Sequence, residues 1–237
     1  FCDTIRANKA AGRTNPDLAV YECDIANLDP ADVLAAAGIK PGELDLLVGG
    51  PPCQSFSTAG KRGTTQDPRG LLLWQFLRFV EYAKPRYFLL ENVRGLLSAA
   101  LRHRPIKDRP EKGGAPLDED EQPGSVIRRF AADLQQIGAG YHLDCFEVNA
   151  VNYGAPQLRE RVLLIGNRYN AVTDFPAPTH GNPADQGIVQ RGLKPWRTLG
   201  DALATINEPG GTILDFSPRK KGFLSEVPAG ANWRSLP

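Results

Sequence analysis

Asp45-Leu46-Leu47-Val48-Gly49-Gly50-Pro51-Pro52-Cys53-Gln54-Ser55-Phe56-Ser57 passes from a short apolar run to a turn and then to a thiol. A short apolar run ended by glycine and proline reads as a buried parallel strand. Gly49 and Gly50 permit backbone angles closed to other residues, and Pro51 and Pro52 remove donors and stiffen the exit. Cys53 is thereby held just beyond the carboxyl end of a strand, where open α/β sheets bind ligands. A cysteine beside a tight turn is otherwise most often a small buried side chain. The neighbouring segments decide between the two.

Towards the amino terminus, Leu18–Cys23 reads as a strand that delivers Asp24 at its carboxyl end. A helix is expected before it over Thr4–Ala11. Another is expected after it over Pro30–Ala37, with Asp29 as N-cap and Pro30 in the first position. Beyond Cys53, Ser55–Arg69 is polar and without periodicity, as long functional loops are. Leu71–Tyr82 has helical apolar spacing, and Tyr87–Leu90 reads as a strand ending in Glu91-Asn92-Val93. A charged, proline-rich surface insertion over Arg102–Pro123 precedes an amphipathic helix over Val126–Ile137. Strands over Cys145–Val148 and Val162–Ile165 flank Gln157-Leu158-Arg159-Glu160-Arg161. This alternation predicts an α/β fold with a mainly parallel sheet. From about Asn170 prolines and glycines thicken and only Leu199–Ile206 reads as helical, so two domains are expected, 1–169 and 170–237.

Composition narrows the classes. The 237 residues carry 28 Lys and Arg against 27 Asp and Glu, a net charge of +1, and a basic groove can hide in such a balance. With 41% hydrophobic and 23% charged residues, disorder throughout is excluded. No apolar run approaches membrane-spanning length and no signal peptide is visible, so a cytoplasmic protein without membrane contact is expected. Cys2, Cys23, Cys53 and Cys145 are scattered, which fits a reducing compartment better than a disulfide framework. His103, His142 and His180 are isolated too, so no metal site is expected. The chain lacks methionine, opens on Phe1-Cys2-Asp3 and closes on Ser235-Leu236-Pro237, and reads as an internal segment of a longer protein.

The chemistry lies in a constellation. Asp24, Cys53 and Glu91 each stand at the carboxyl end of an expected strand, and in a parallel sheet those ends share one edge. A lone acid at a strand end is usually a cap or a turn residue. Two acids with a thiol between them favour a site. A thiolate can add to an electron-poor ring carbon while a protonated carboxyl bonds the ring nitrogen. Arg159 and Arg161, on one side of an extended segment, are forked donors for a carbonyl or phosphate; standing alone they would read as surface charges.

Pro51-Pro52-Cys53-Gln54-Ser55-Phe56-Ser57, Glu91-Asn92-Val93 and Gln157-Leu158-Arg159-Glu160-Arg161 resemble, in order and separation, the three central motifs of the DNA cytosine-5 methyltransferase family. Asp67-Pro68-Arg69-Gly70-Leu71-Leu72 and Asn149-Ala150-Val151-Asn152-Tyr153-Gly154-Ala155-Pro156 are also similar to family segments. The resemblance covers roughly residues 1 to 170. It implies a doubly wound, Rossmann-like methyltransferase core followed by the start of an irregular target-recognition domain. The family's first motif, a Phe-x-Gly-x-Gly turn, is expected before Phe1, so the first strand is missing here, and the last two motifs are expected after Pro237.

Carried over residue by residue, the resemblance implies that Cys53 is the nucleophile on cytosine C6 and that Glu91 holds and protonates N3, with Asn92 supporting that loop. Arg161 would bond the cytosine O2 and Arg159 would steady Glu91. Asp24, Ile25, Pro51 and Leu72 would line the pocket of S-adenosyl-L-methionine. Gln54, Ser57, Lys61, Arg69 and Gln157 would face DNA. The implied protein is a monomeric modification enzyme of a restriction-modification system that acts on double-stranded DNA, with its target base flipped out of the stack. A tRNA methyltransferase with the same motifs is the nearest rival, but its Cys-Phe-Thr signature is absent. An inactive DNA-binding module would be expected to lose Cys53 or Glu91, and a thiol hydrolase would need a histidine near Cys53.

Overall fold

The computed structural model describes residues 1–52, 72–138, 140–204, 215–228 and 231–236. Its sheet is built from β1 (Leu46–Gly49), β2 (Tyr87–Val93), β3 (His142–Asn149) and β4 (Glu160–Asn167), in the spatial order β1-β2-β4-β3. β1 pairs with β2 in parallel, and β4 runs antiparallel to both of its neighbours. β1, β2 and β3 therefore point the same way, and β4 is inserted in reverse between β2 and β3. The sheet is mixed rather than mainly parallel. The reason is the link from β3 to β4, residues 150–159, which is too short for the crossover that a parallel neighbour needs. One edge of the sheet thus gathers the carboxyl ends of β1, β2 and β3 with the amino end of β4.

Helices cover one face. α1 (Cys2–Ala10) and α2 (Pro30–Ala36) precede β1, and in α2 the Asp29 carboxylate accepts from Ala31 N at 2.9 Å. α3 (Leu72–Ala83) buries Leu73, Phe76, Leu77, Val80 and Ala83, an apolar stripe at helical spacing. α4 (Ser125–Gln136) buries Val126, Phe130 and Leu134. Both stripes pack on Phe88, Leu90, Val162 and Leu164, which the two-residue strand period points to that face. Packing is close enough to dictate glycine. A Cβ on Gly166 would stand 2.1 Å from the Phe88 ring, and one on Gly49 would stand 2.5 Å from Phe76. Tyr141 is buried beside Phe88 and donates to Pro85 O at 2.7 Å, and its burial pushes the phenol up to about 12.

One expected strand does not form. Leu18–Cys23 forms no strand, because the described residues offer it no ladder partner. It is tied instead by Lys9 Nζ to Leu18 O at 2.8 Å and by Arg6 to Glu22 at 2.7 Å. Asp24 is accordingly the N-cap of a 3-10 turn, Ile25–Asn27, and not a strand end. The Arg102–Pro123 insertion is ordered by Arg104, whose guanidinium binds both carboxylate oxygens of Glu121 and the carbonyl of Ala115. The chain divides into Phe1–Trp196 and Arg197–Pro237, beyond the expected boundary at 169/170. Residues after β4 stay bonded to the first unit: Thr173 N donates to Asp144 at 2.7 Å, and Trp196 Nε1 donates to Asn152 at 3.0 Å. A two-residue parallel pair, β5 (His180–Gly181) with β6 (Lys194–Pro195), belongs there as well.

The second unit has a short helix, α5 (Leu199–Leu203), capped reciprocally by Thr198 and Asp201. The expected helix to Ile206 ends outside the described residues. α6 (Pro218–Ser225) follows, capped by Ser217. Among the described residues no helix is long and apolar enough to cross a membrane, and no three metal-ligating side chains gather.

Candidate active site

The site is assembled at the carboxyl edge of the sheet. Alternation along β2 buries Leu90 and Asn92 against the helices and turns Glu91 to the opposite face. Asn92 is 1% exposed, and its amide has work to do on both sides. Its Oδ1 accepts from Val93 N at 2.9 Å, and its Nδ2 donates to Pro51 O at 3.3 Å. The β1 exit turn is thereby fixed to β2. Gly50 passes so close that a Cβ on it would lie 3.7 Å from Glu91 Oε2.

β4 and the residue just before it supply the arginines. Because β4 runs antiparallel to β2, its first residues lie beside the last residues of β2, and Arg161 pairs with Val93 in the ladder. Arg161 Nε donates to Glu91 Oε1 at 2.7 Å, and Arg159 Nη2 stands 3.7 Å from the same oxygen. Arg161 Nη1 also donates to Glu160 O at 2.7 Å, which fixes the fork. Asn149, at the end of β3, accepts from Arg159 N at 2.9 Å and so sets the approach of that segment. Glu91 is thus oriented by two guanidinium groups through one oxygen. Its other oxygen faces the turn that leads to Cys53.

Arg94 follows β2 directly and binds Glu147 at 2.6 Å and Glu160 at 3.4 Å. These partners, Glu147 first, raise its pKa above the ordinary arginine value and keep it charged. Arg94, Glu147, Asn149, Gln157, Arg159 and Arg161 line an open groove of about 890 Å³ beside Glu91. Gln157 is exposed in that groove. Forked donors at a groove wall suit a planar carbonyl or a phosphate.

A model of the C-5 cytosine-specific DNA methylase family matches residues 13–193. The chain belongs to that family. It is 39% identical over 209 residues to the Type II methyltransferase M.AquIA of Picosynechococcus sp., covering 86% of this chain and 75% of that relative. It is 30% identical over 246 residues to the Type II methyltransferase M.NgoFVII of Neisseria gonorrhoeae, covering all of this chain and 56% of the relative. With M1.HphI of Haemophilus parahaemolyticus it shares 34% over 205 residues, 86% of this chain and 43% of the relative. The chain thus spans between about two fifths and three quarters of these proteins. A solved structure described as a DNA modification methyltransferase encoded within a prophage of E. coli superimposes with a TM-score of 0.50. It is 23% identical and covers 82% of this chain and 43% of that one, and it shares the fold of a Rossmann-like methyltransferase core.

Set on this methylase fold, the expected residues fall into three groups. Glu91, Arg159 and Arg161 are brought together, with Gln157 beside them. Cys53, Gln54, Ser57, Lys61 and Arg69 lie outside the described residues. Asp24, Ile25, Pro51 and Leu72 are all described. Asp24 and Ile25 are exposed on the 3-10 turn, and Pro51 and Leu72 are half-buried. Asp24 spends Oδ1 on Ala26 N at 2.9 Å and keeps its second oxygen for another donor. Sequence reasoning missed Arg94 and, though Asn149 opens a string it quotes, assigned that residue no role. Arg94 stands directly after Glu91-Asn92-Val93, but its carboxylate partners are far away in sequence.

Proposed function

We propose that this chain carries the catalytic centre of a DNA cytosine-5 methyltransferase that uses S-adenosyl-L-methionine as methyl donor. The observation that carries the reading is the Glu91 carboxylate, held at 2.7 Å by Arg161 and set against the turn that precedes Cys53. The donor supplies an electrophilic methyl group when bound. Asp24 fits the adenine amino group, since its free carboxylate oxygen is an acceptor on an exposed turn, and Ile25 offers an apolar surface to the ring. Pro51 and Leu72 would complete that wall.

The Cys53 thiolate adds to C6 of a cytosine rotated out of the duplex, and the protonated Glu91 carboxyl donates to N3 as negative charge moves into the ring. Arg161 bonds O2, and Arg159 steadies Glu91. The C5 carbon would thereby become electron-rich, where the bound donor would supply its methyl group and leave as a neutral thioether. A base then removes the C5 proton and the thiolate leaves with its electrons. Gln54, Ser57, Lys61, Arg69 and Gln157 would contact DNA, and residues 170–237 would begin the target-recognition part. A role in a restriction-modification system follows the names of the relatives.

The reading is tested by incubating the full-length protein with isotopically labelled S-adenosylmethionine and either duplex DNA or tRNA. Digestion should yield labelled 5-methylcytosine from DNA only. Label in tRNA alone, or on an exocyclic nitrogen, contradicts it.

A further inference from the structure

The Asp24–Leu28 turn is not held by the sheet. Its own hydrogen bonds are three: Asp24 Oδ1 accepts from Ala26 N at 2.9 Å, Asp24 O accepts from Asn27 N at 2.9 Å, and Leu28 N reaches Ile25 O at 3.3 Å. A 3-10 turn this short has poor hydrogen-bond geometry, and its last carbonyls carry unsatisfied negative charge density. One side chain from another element meets that need. Arg78, in the middle of α3, donates through Nη2 to Ile25 O at 2.7 Å and to Leu28 O at 2.9 Å. A cation at the carbonyl end of a helical turn is favourable, and bonds to a charged donor are stronger than neutral ones.

Two further observations show how far Arg78 is committed to this contact. Its Nε is buried without a partner among the described residues, a cost accepted to place the far end of the guanidinium at the turn. Its guanidinium also lies 5.4 Å from the centre of the adjacent Phe79 ring, which is buried. The same helix begins at Leu72, so α3 joins the turn that bears Asp24 and Ile25 to the other expected wall of the cofactor pocket.

We propose that Arg78 is the positioning residue of the cofactor turn, a clamp from α3 on the Ile25 and Leu28 carbonyls that presents Asp24 and Ile25 to the adenine of S-adenosylmethionine. The proposal rests on the cofactor reading above. Arg78 touches neither base nor donor on this view. It sets the backbone from which two contacting side chains project, so its loss weakens cofactor binding without altering the chemistry at Glu91.

The test uses the full-length protein with Arg78→Met, which keeps an apolar stem and removes the donors, and Arg78→Lys, which keeps a charged donor. Without any ligand, amide hydrogen exchange over residues 24–28 should accelerate in Arg78→Met and be partly restored in Arg78→Lys. The calorimetric Kd for S-adenosylmethionine should rise about tenfold in Arg78→Met, the order of one charge-assisted hydrogen bond. KM for the cofactor should follow it while kcat at saturation stays within about twofold, the signature of lost uniform binding. Equal exchange in the turn, or equal losses in kcat and in DNA affinity, would overturn the clamp. Asp24→Ala distinguishes the two levels. Normal cofactor binding by Asp24→Ala overturns the cofactor reading and the proposal together. Weakened binding by Asp24→Ala alongside normal binding by Arg78→Met overturns the Arg78 proposal alone.

Discussion

At Glu91 one oxygen is engaged by Arg161 at 2.7 Å, and Arg159 approaches it at 3.7 Å. The carboxyl can therefore turn little, and its second oxygen is aimed rather than free. Glu91→Gln keeps the shape and the arginine contact but cannot transfer a proton to N3 as the thiolate adds. Methyl transfer in the full-length protein should fall by about 10²–10⁴-fold, the usual range for one acid–base group. Single-turnover rates with saturating DNA and cofactor check this; a rate within a few-fold of wild type removes Glu91 from proton transfer. The acidic and basic members of this cluster are legible in sequence because their spacing sits inside recognisable strings. The residues that hold the cluster are less so. Asn149 acts on the backbone of Arg159, and Arg94 binds Glu147 across 53 residues of sequence. Nothing in local spacing announces such partners.

Among the elements, strands with an apolar run and a turn signal are read well in position, as β1 and β2 show, but β1 is not the buried strand its apolar run predicts: it lies at the sheet edge among the described residues, with Leu46 and Val48 exposed. Leu18–Cys23 has the same signal and no neighbour to pair with among the described residues, since a strand is a property of two segments. β4 shows the complementary limit. Its apolar run predicts a strand, but its reversed direction comes from the short link after β3, and only that reversal brings Arg161 beside Glu91. The packing that fixes this register is testable at Gly166, on β4 behind the site. The Phe88 ring that a Cβ there would strike at 2.1 Å is fully buried, between Phe76 and Tyr141. Gly166→Ala should cost about 1–3 kcal/mol in urea unfolding, as overpacked cores do. Gly138→Ala, where a Cβ meets nothing within 4 Å, should change stability by no more than about 0.5 kcal/mol. Equal stability of the two variants would mean that β4 is not locked against Phe88.

For the whole molecule, Asp144 shows how the chain beyond β4 stays attached. Partial burial pushes this carboxyl up, but the Thr173 N–H at 2.7 Å and His142 at 3.0 Å outweigh it and hold the carboxyl below its ordinary value. A carboxyl depressed in the folded state contributes stability that is present above its unfolded pKa of about 3.9 and is lost as pH falls through the folded value. Asp144→Asn should therefore be less stable than wild type at pH 6, and the gap should close below about pH 4. Urea midpoints at both pH values check the sign; a gap that persists unchanged in acid rules out the charge as its source. This attachment also explains why the change of texture at Asn170 does not end the first unit, which runs to Trp196. Proline-rich texture reports a loss of regular structure, and these loops are tethered by single hydrogen bonds that composition does not reveal.

The most direct test of the mechanism is a trapped covalent complex. Fluorine at C5 cannot leave as a cation, so DNA with 5-fluorocytosine at the target should stop the reaction after methyl transfer, with the thiolate still bound to C6. The full-length protein should form a denaturant-resistant complex with such DNA only when S-adenosylmethionine is present. Peptide mass mapping should place the adduct on Cys53. Cys2, Cys23 and Cys145 are the internal controls. Burial, and then Glu147, push the Cys145 thiol above its ordinary value, which disfavours its thiolate. Cys53→Ala should abolish the adduct while retaining DNA binding, since phosphate contacts supply much of that affinity. An adduct on any other cysteine, or methylation that survives Cys53→Ala, would contradict the assignment.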